Sequence, residues 1–257
     1  MTCTIGGSSE IPPGEWRRRL IAGAATMGVE IAEQHAQLCS RLASQVASEN
    51  RKYNLSSCSS PDEMLEDLFL DALAMVPAMR ELGGNAATRL TLMDVGSGAG
   101  FPGIVLAIVC PLKRAVLLEA RRKRAVFLTT VASELGLDHV TVREGRAERV
   151  GRDPACREVF DFVTARAVAD LPALVELTLP FLRVGGWLLA PKGPDVRQEI
   201  EHSSRALKEL GGRLLRADAY DLPSGKRGTL ILVEKILPTP ERYPRRDGIP
   251  AKRPLLP

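Results

Sequence analysis

The decapeptide DVGSGAGFPG, Asp94-Val95-Gly96-Ser97-Gly98-Ala99-Gly100-Phe101-Pro102-Gly103, packs four glycines and a proline into ten residues. An apolar run, residues 90–93, precedes it and another, residues 104–109, follows it. This order predicts a strand, a tight loop and a helix. Glycine lets a backbone turn sharply and approach a ligand closely, and the start of a helix offers unpaired N–H groups to an anion. The stretch is therefore expected to be a ligand loop.

Outward from the loop, short apolar runs alternate with helical segments. The runs are residues 90–95, 115–118, 140–143, 160–164, 187–190 and 229–234; helices are expected from 102, over 124–135, over 171–182 and near 196–210. Such alternation predicts a parallel sheet covered on both faces. Upstream, residues 16–47 are helical in character, with Gly28 as the break. Ser60, Pro61 and Glu63 supply an N-cap, a proline for the first turn and a capping-box acid. Met64, Leu65, Leu68, Phe69, Ala72 and Met75 then follow at helical spacing, with Pro77 and Gly83-Gly84 expected to end the helix. The division expected is a helical region 1–85, an α/β domain 86–237, and a basic, proline-rich tail 238–257 lying extended along the surface.

At 257 residues and 45% apolar content, the chain can bury a full core. No apolar run approaches the roughly 20 residues that cross a membrane. The N-terminal basic cluster follows a polar stretch with no apolar core ahead of it, the wrong order for a secretory signal. A cytoplasmic, monomeric protein is the expectation. Cys3, Cys39, Cys58, Cys110 and Cys156 are scattered and form no CxxC pair, and His35, His139 and His202 are sparse. Neither a disulfide framework nor a metal site is expected. The net charge of +4 is unevenly spread. Arg121-Arg122-Lys123-Arg124 is one basic block, and the tail carries Arg242, Arg245, Arg246, Lys252 and Arg253. Such clusters suit a polyanion, or equally a solvated face.

Two patterns overlap in the loop. Gly98 to Gly103 fits G-x-G-x-x-G, the dinucleotide fingerprint, with Glu119 about 20 residues on where an acid would hold a ribose. Asp94 to Gly100 also fits D-x-G-x-G-x-G and looks like the motif of S-adenosylmethionine-dependent methyltransferases. Glu119 suits the ribose of either cofactor. Gly145-Arg146-Ala147-Glu148 follows the third strand, where an acidic or backbone acceptor could meet an adenine amino group. The segment from Pro180 to Leu189, with its Gly185-Gly186 pair, resembles the approach to the fifth strand in class I methyltransferases and favours that reading.

A closer resemblance rests on Lys52-Tyr53-Asn54-Leu55-Ser56, the loop itself with its FPG ending, and the run from Lys123 to Leu128. It rests also on Phe160 to Ala167 with its TARA ending, on Lys192-Gly193, and on the tail segments 243–246 and 250–255. In these the chain resembles the ribosomal RNA small subunit methyltransferase G family, also called glucose-inhibited division protein B. That resemblance implies an α/β, class I methyltransferase fold: a doubly wound, mostly parallel, seven-stranded sheet with a helical N-terminal extension. It implies transfer of a methyl group from S-adenosylmethionine to N7 of one guanine in the 530 loop of 16S ribosomal RNA, free or within the small ribosomal subunit. Gly96, Phe101, Ala147, Glu148 and Arg166 match cofactor positions, with Glu119 in the ribose place and Gly98 and Gly100 in the same loop. Lys123, Arg124, Lys192 and Arg227 match basic positions facing RNA or the reacting site, and Arg166 and Lys192 are taken as the candidates nearest the chemistry. One departure stands out. Many members carry R-H-x-x-D-S-L before the first strand, whereas here residues 67–73 read DLFLDAL, keeping only Asp71 and Leu73.

Guanine N7 carries an in-plane lone pair on the major-groove edge and no proton to remove. The expected work is positioning rather than general-base catalysis. Arg166, expected to end the fourth strand, could position the guanine or its phosphate, shape the cofactor pocket by pairing with an acid, or only brace the loop against Asp94 or Glu119. Other readings remain open at this point: a methyltransferase for a small molecule or protein, a nicotinamide oxidoreductase, and an RNA-associated module without turnover.

Overall fold

The computed structural model describes residues 12–53, 55, 57–58, 60–84 and 90–257. Asn54 and Ser56 of the 52–56 motif lie outside the described residues. Seven strands form one sheet in the order β3-β2-β1-β4-β5-β7-β6. They are β1 Thr91–Val95, β2 Arg114–Glu119, β3 Val140–Glu144, β4 Phe160–Thr164, β5 Leu182–Lys192, β6 Gly212–Asp221 and β7 Arg227–Lys235. The first five pair in parallel, and β7 runs antiparallel to both β5 and β6. Chain order reverses between β1 and β4, and the crevice beyond the strand C-termini at such a switch point is where open α/β sheets bind ligands.

Successive side chains of a strand point to opposite faces, and this sheet has a buried cluster on each. Leu92, Leu117, Phe162, Leu189 and Leu232 face the N-terminal helices α1 (Pro13–Thr26) and α2 (Glu33–Tyr53), together with α6 (Gly103–Val109) and α7 (Arg122–Glu134). Met93, Val116, Val163, Leu188 and Val233 face α9 (Leu171–Thr178) and α11 (Ser204–Leu210). The N-terminal helices thus share one core with the sheet.

The expected break at Gly28 is present, with φ +72. The Ser60 hydroxyl accepts from the Glu63 N–H at 3.1 Å and caps α3 (Pro61–Met64). That helix widens into a π-helical segment, Leu65–Leu70, and returns to α geometry in α4 (Asp71–Leu73). Pro77 does not end the helix as expected. It sits in the first turn of a new one, α5 (Val76–Gly83), where the missing N–H costs nothing. Gly185 and Gly186 lie inside β5, near its register shift against β4, instead of ahead of a strand. The helix expected near 196–210 is two helices, α10 (Arg197–His202) and α11, meeting at Ser203.

The tail departs most from expectation. It folds back against the sheet's second face in turns, ending in α12 (Ile249–Lys252), and buries Tyr243 and Leu255. Arg152 donates to the carbonyls of Glu241, Arg242 and Pro244, and Arg157 to those of Thr239, Pro240 and Tyr243. These bonds hold the tail as turns, where an extended chain would need none.

Candidate functional site

The glycine loop leaves β1 at the switch point. Gly96 and Ser97 donate to the Leu118 carbonyl at 2.8 and 3.1 Å, which ties the turn to the end of β2. Asp94 is buried beneath it. Its Oδ2 accepts from the Gly103 N–H at 3.1 Å and its Oδ1 from the Thr164 hydroxyl at 3.0 Å, so one carboxylate joins β1, β4 and the start of α6. A Cβ on Gly103 would lie 2.6 Å from Asp94 Oδ2, which is why only glycine lets the helix begin this close to the acid. Burial pushes the Asp94 carboxyl up to about 6. The acid of D-x-G-x-G is a brace for the loop.

Glu119 ends β2 and is buried. Its Oε2 accepts from Gly98 N–H at 3.0 Å and its Oε1 from Arg121 N–H at 2.7 Å. Each oxygen keeps a lone pair for a further donor such as a ribose hydroxyl. Gly98 has φ +58 and, among the described residues, a side chain there would begin with only Arg124 Nη1 and the Gly96 carbonyl near it, both at 3.8 Å. The backbone there is open to a ligand, so loop and acid fit an adenosine-bearing group. Phe101 turns its ring into the core, edge-on to Phe69 with centroids 4.9 Å apart. After β3, Ala147 opens the short α8 (Ala147–Val150). Glu148 is buried, and its Oε1 accepts from the Gly248 N–H of the tail at 2.7 Å and from Arg146 at 3.3 Å.

Arg166 lies two residues past β4 and does not pair with Asp94 or Glu119. Its Nη1 donates to Asp71 Oδ2 at 2.9 Å and to the Asp67 carbonyl, both in the helix before the first strand. Its guanidinium carbon stands 5.9 Å from the centre of the Phe101 ring. Lys192, at the end of β5, donates to the Ala169 carbonyl at 2.8 Å and to Glu199 at 2.7 Å, bracing the loop that carries Arg166.

Lys123 and Arg124 stand in the first turn of α7, after Arg121 and Arg122. These four residues, with Glu49, Leu55 and Phe127, line a cavity of about 360 Å³. Arg124 links this basic wall to the glycine loop. Arg227, exposed at the start of β7, pairs with Asp221 at 3.1 Å. Because β7 is reversed, its start lies at the same sheet edge as the end of β5. The site residues read from sequence thus share one edge, but several of the expected ligand groups hold protein partners. Sequence reasoning missed Tyr220, whose hydroxyl donates to Asp71 Oδ1, and Thr164 as the partner of Asp94. Nothing local marks Tyr220, which lies far along the chain from Asp71. Thr164 was visible only as part of the TARA run.

No helix among the described residues is long and apolar enough to cross a membrane. The reversed β7 between β5 and β6 separates this sheet from the all-parallel 3-2-1-4-5-6 order of nicotinamide enzymes. Among solved structures, an O-methyltransferase from Bacillus cereus in complex with SAH superposes with a TM-score of 0.53 at 22% identity, covering 76% of this chain and 91% of that one. A SAM dependent methyltransferase from Aquifex aeolicus gives 0.50 at 17%, covering 71% and 97%. The fold is that of class I S-adenosylmethionine-dependent methyltransferases. The GidB family pattern, described as rRNA small subunit methyltransferase G, matches residues 35–223. The chain is 40% identical over 240 residues to the ribosomal RNA small subunit methyltransferase G of Deinococcus radiodurans, covering 93% of this chain and 92% of the relative. It is 42% identical over 233 residues to that of Carboxydothermus hydrogenoformans, covering 90% and 96%. A family match over most of the chain, on a sheet whose switch-point edge carries the glycine loop, Glu119 and Arg166, makes this chain a member of the ribosomal RNA small subunit methyltransferase G family.

Proposed function

We propose that this chain methylates N7 of one guanine in the 530 loop of 16S ribosomal RNA, using S-adenosylmethionine and acting in the cytoplasm as a monomer. Family membership supports the coarser statement, an S-adenosylmethionine-dependent methyltransferase of small-subunit ribosomal RNA. The observation that carries the reading is the contact of two unlike surfaces. The loop and acid that suit adenosine meet, through Gly98 and Arg124, a wall of consecutive cations that suits phosphate.

When bound, S-adenosylmethionine supplies an electrophilic sulfonium methyl. The chain's own part is to hold and orient. Glu119 would take the ribose hydroxyls. With Glu148 Oε1 held by the tail, its Oε2 or the main chain at Ala147 and Glu148 would meet the adenine. Arg166 has several N–H groups left for an anionic part of the cofactor or for the nucleotide. Lys123, Arg124 and Arg227 would take RNA phosphates, and Lys192 would act by fixing the Arg166 loop. Guanine N7 needs no deprotonation, so alignment of N7, methyl and sulfur within about 3–3.5 Å is what lowers the barrier. The scarcity of His in the chain is consistent with chemistry that needs no general base.

The test is methyl transfer from labelled S-adenosylmethionine to small subunits and to naked 16S RNA lacking the modification, with mapping of the labelled base. Label at N7 of one guanine is expected. Label on another atom or another RNA would overturn the specific reading. Cofactor binding without any label would point to an RNA-associated module without turnover.

A further inference from the structure

Arg166 is held from outside the strand that delivers it. Its side chain is 18% exposed and that of Asp71 17%, so both charges are largely out of water and depend on one another. Asp71 divides its carboxylate: Oδ2 takes Arg166, and Oδ1 takes the hydroxyl of Tyr220 from the edge strand β6. With both oxygens engaged, the carboxylate is fixed in rotation. The π-helical turn adds a second anchor. The Asp71 N–H bonds to Glu66 five residues back, and a helix that changes between four- and five-residue registers has a carbonyl to spare. Arg166 donates to the Asp67 carbonyl within that segment.

The guanidinium is held at one nitrogen only. Among the described residues, Arg166 makes hydrogen bonds through Nη1 alone, while Nε and Nη2 carry three more N–H groups. Its loop lies against the glycine loop, since a Cβ on Gly96 would meet Val168 at 2.8 Å. The following residue, Ala167, has φ +54, an unfavourable conformation for a residue with a Cβ. A strained backbone, two fixed acceptors and an uncommitted face together describe an arginine aimed at a ligand.

We infer that Asp71 and Tyr220 are positioning residues, which hold Arg166 so that its remaining N–H groups face the S-adenosylmethionine site. On this view the altered segment 67–73 keeps the one polar side chain the site needs, and β6 supplies its second anchor. The inference rests on the cofactor reading of Arg166. It does not depend on which RNA atom is methylated.

The experiment is calorimetric titration of the full chain with S-adenosylmethionine, without RNA, for wild type, Arg166→Ala, Asp71→Asn, Tyr220→Phe and the double variant Arg166→Ala/Asp71→Asn. Thermal melts establish that each is folded. Asp71→Asn is expected to weaken binding about tenfold and Tyr220→Phe about threefold, in keeping with loss of a charged and of a lesser hydrogen bond. The double variant should bind no more weakly than Arg166→Ala alone. In turnover, Asp71→Asn and Tyr220→Phe should raise KM for the cofactor while kcat is nearly kept, whereas a merely destabilised enzyme loses kcat with its folded fraction and keeps KM. Tyr220→Phe removes a single hydroxyl and keeps the test open if Asp71→Asn does not fold. Wild-type binding by Tyr220→Phe and Asp71→Asn beside a weakened Arg166→Ala would overturn the inference, as would multiplicative losses in the double variant. Wild-type binding by Arg166→Ala would also overturn it, leaving the methyl-transfer reading to its own test. A wild-type chain that binds cofactor but labels no RNA would sink that reading alone.

Discussion

Asp94 sits beneath the glycine loop with both carboxylate oxygens bonded, yet burial still pushes its carboxyl up to about 6 from an ordinary value of 3.8. The Thr164 and Gly103 hydrogen bonds and the charge of Arg166 pull the other way without prevailing. Between those two pH values the folded protein keeps a proton that the unfolded chain has released. Its contribution is therefore complete below 3.8 and disappears as pH rises through about 6. Asp94→Asn can offer its oxygen to Gly103 and its amide to Thr164 without titrating. Urea unfolding across pH should show the stability of wild type falling relative to Asp94→Asn over this window. A flat difference would mean that Asp94 titrates normally. The acid was legible in D-x-G-x-G, but its brace was not, because Thr164 comes from a strand that is adjacent only in the sheet.

At the scale of elements, α7 begins with four consecutive cations where the helix dipole is positive, a placement that costs a few tenths of a kcal/mol for each. A helix that keeps such a start beside the glycine loop is suited to polyanion contact. Replacing Lys123 and Arg124 by Ala should reduce the slope of log K against log salt for RNA binding by about one unit or more, with cofactor affinity retained. Equal slopes for variant and wild type, measured by filter binding over a salt series, would take these residues out of the interface. The sequence marked this helix start plainly, since its cations are contiguous. It did not mark β6. Gly212–Asp221 alternates between half-buried and exposed positions with Arg213, Arg216 and Asp218 among them, so an edge strand carrying charge resembles a polar connection.

For the whole molecule, the tail is part of the folded unit. Glu176, wholly buried in α9, meets Arg245 through two side-chain nitrogens and the backbone N–H, at 2.6 to 3.0 Å. Arg245 is therefore committed inward, and the basic tail of the sequence is in part an internal clamp. Removing one partner leaves a buried carboxylate with too few donors. Arg245→Ala should cost about 3 kcal/mol in urea unfolding, with part of the loss recovered in Glu176→Gln/Arg245→Ala. A cost under about 0.5 kcal/mol, the range of ordinary surface changes, would show that the clamp is not holding the tail.

Some of this protein was written in local pattern. Apolar runs of strand length, the glycine loop, the Ser60 cap and the acid ending β2 each depend on residues a few positions apart, so the α/β architecture and the strand–loop–helix start of its first unit could be read directly. The ends of elements were less legible where one residue serves two purposes, as Pro77 does at a helix start. Tertiary structure alone decided the partnerships: Asp71 with Arg166 and Tyr220, Glu148 with the tail's Gly248, and Glu176 with Arg245. Those pairs join residues far apart in the chain, and a charge in a sequence carries no sign of which opposite charge folding will bring beside it. Burial makes the choice, because a charge taken out of water must find its partner within the fold.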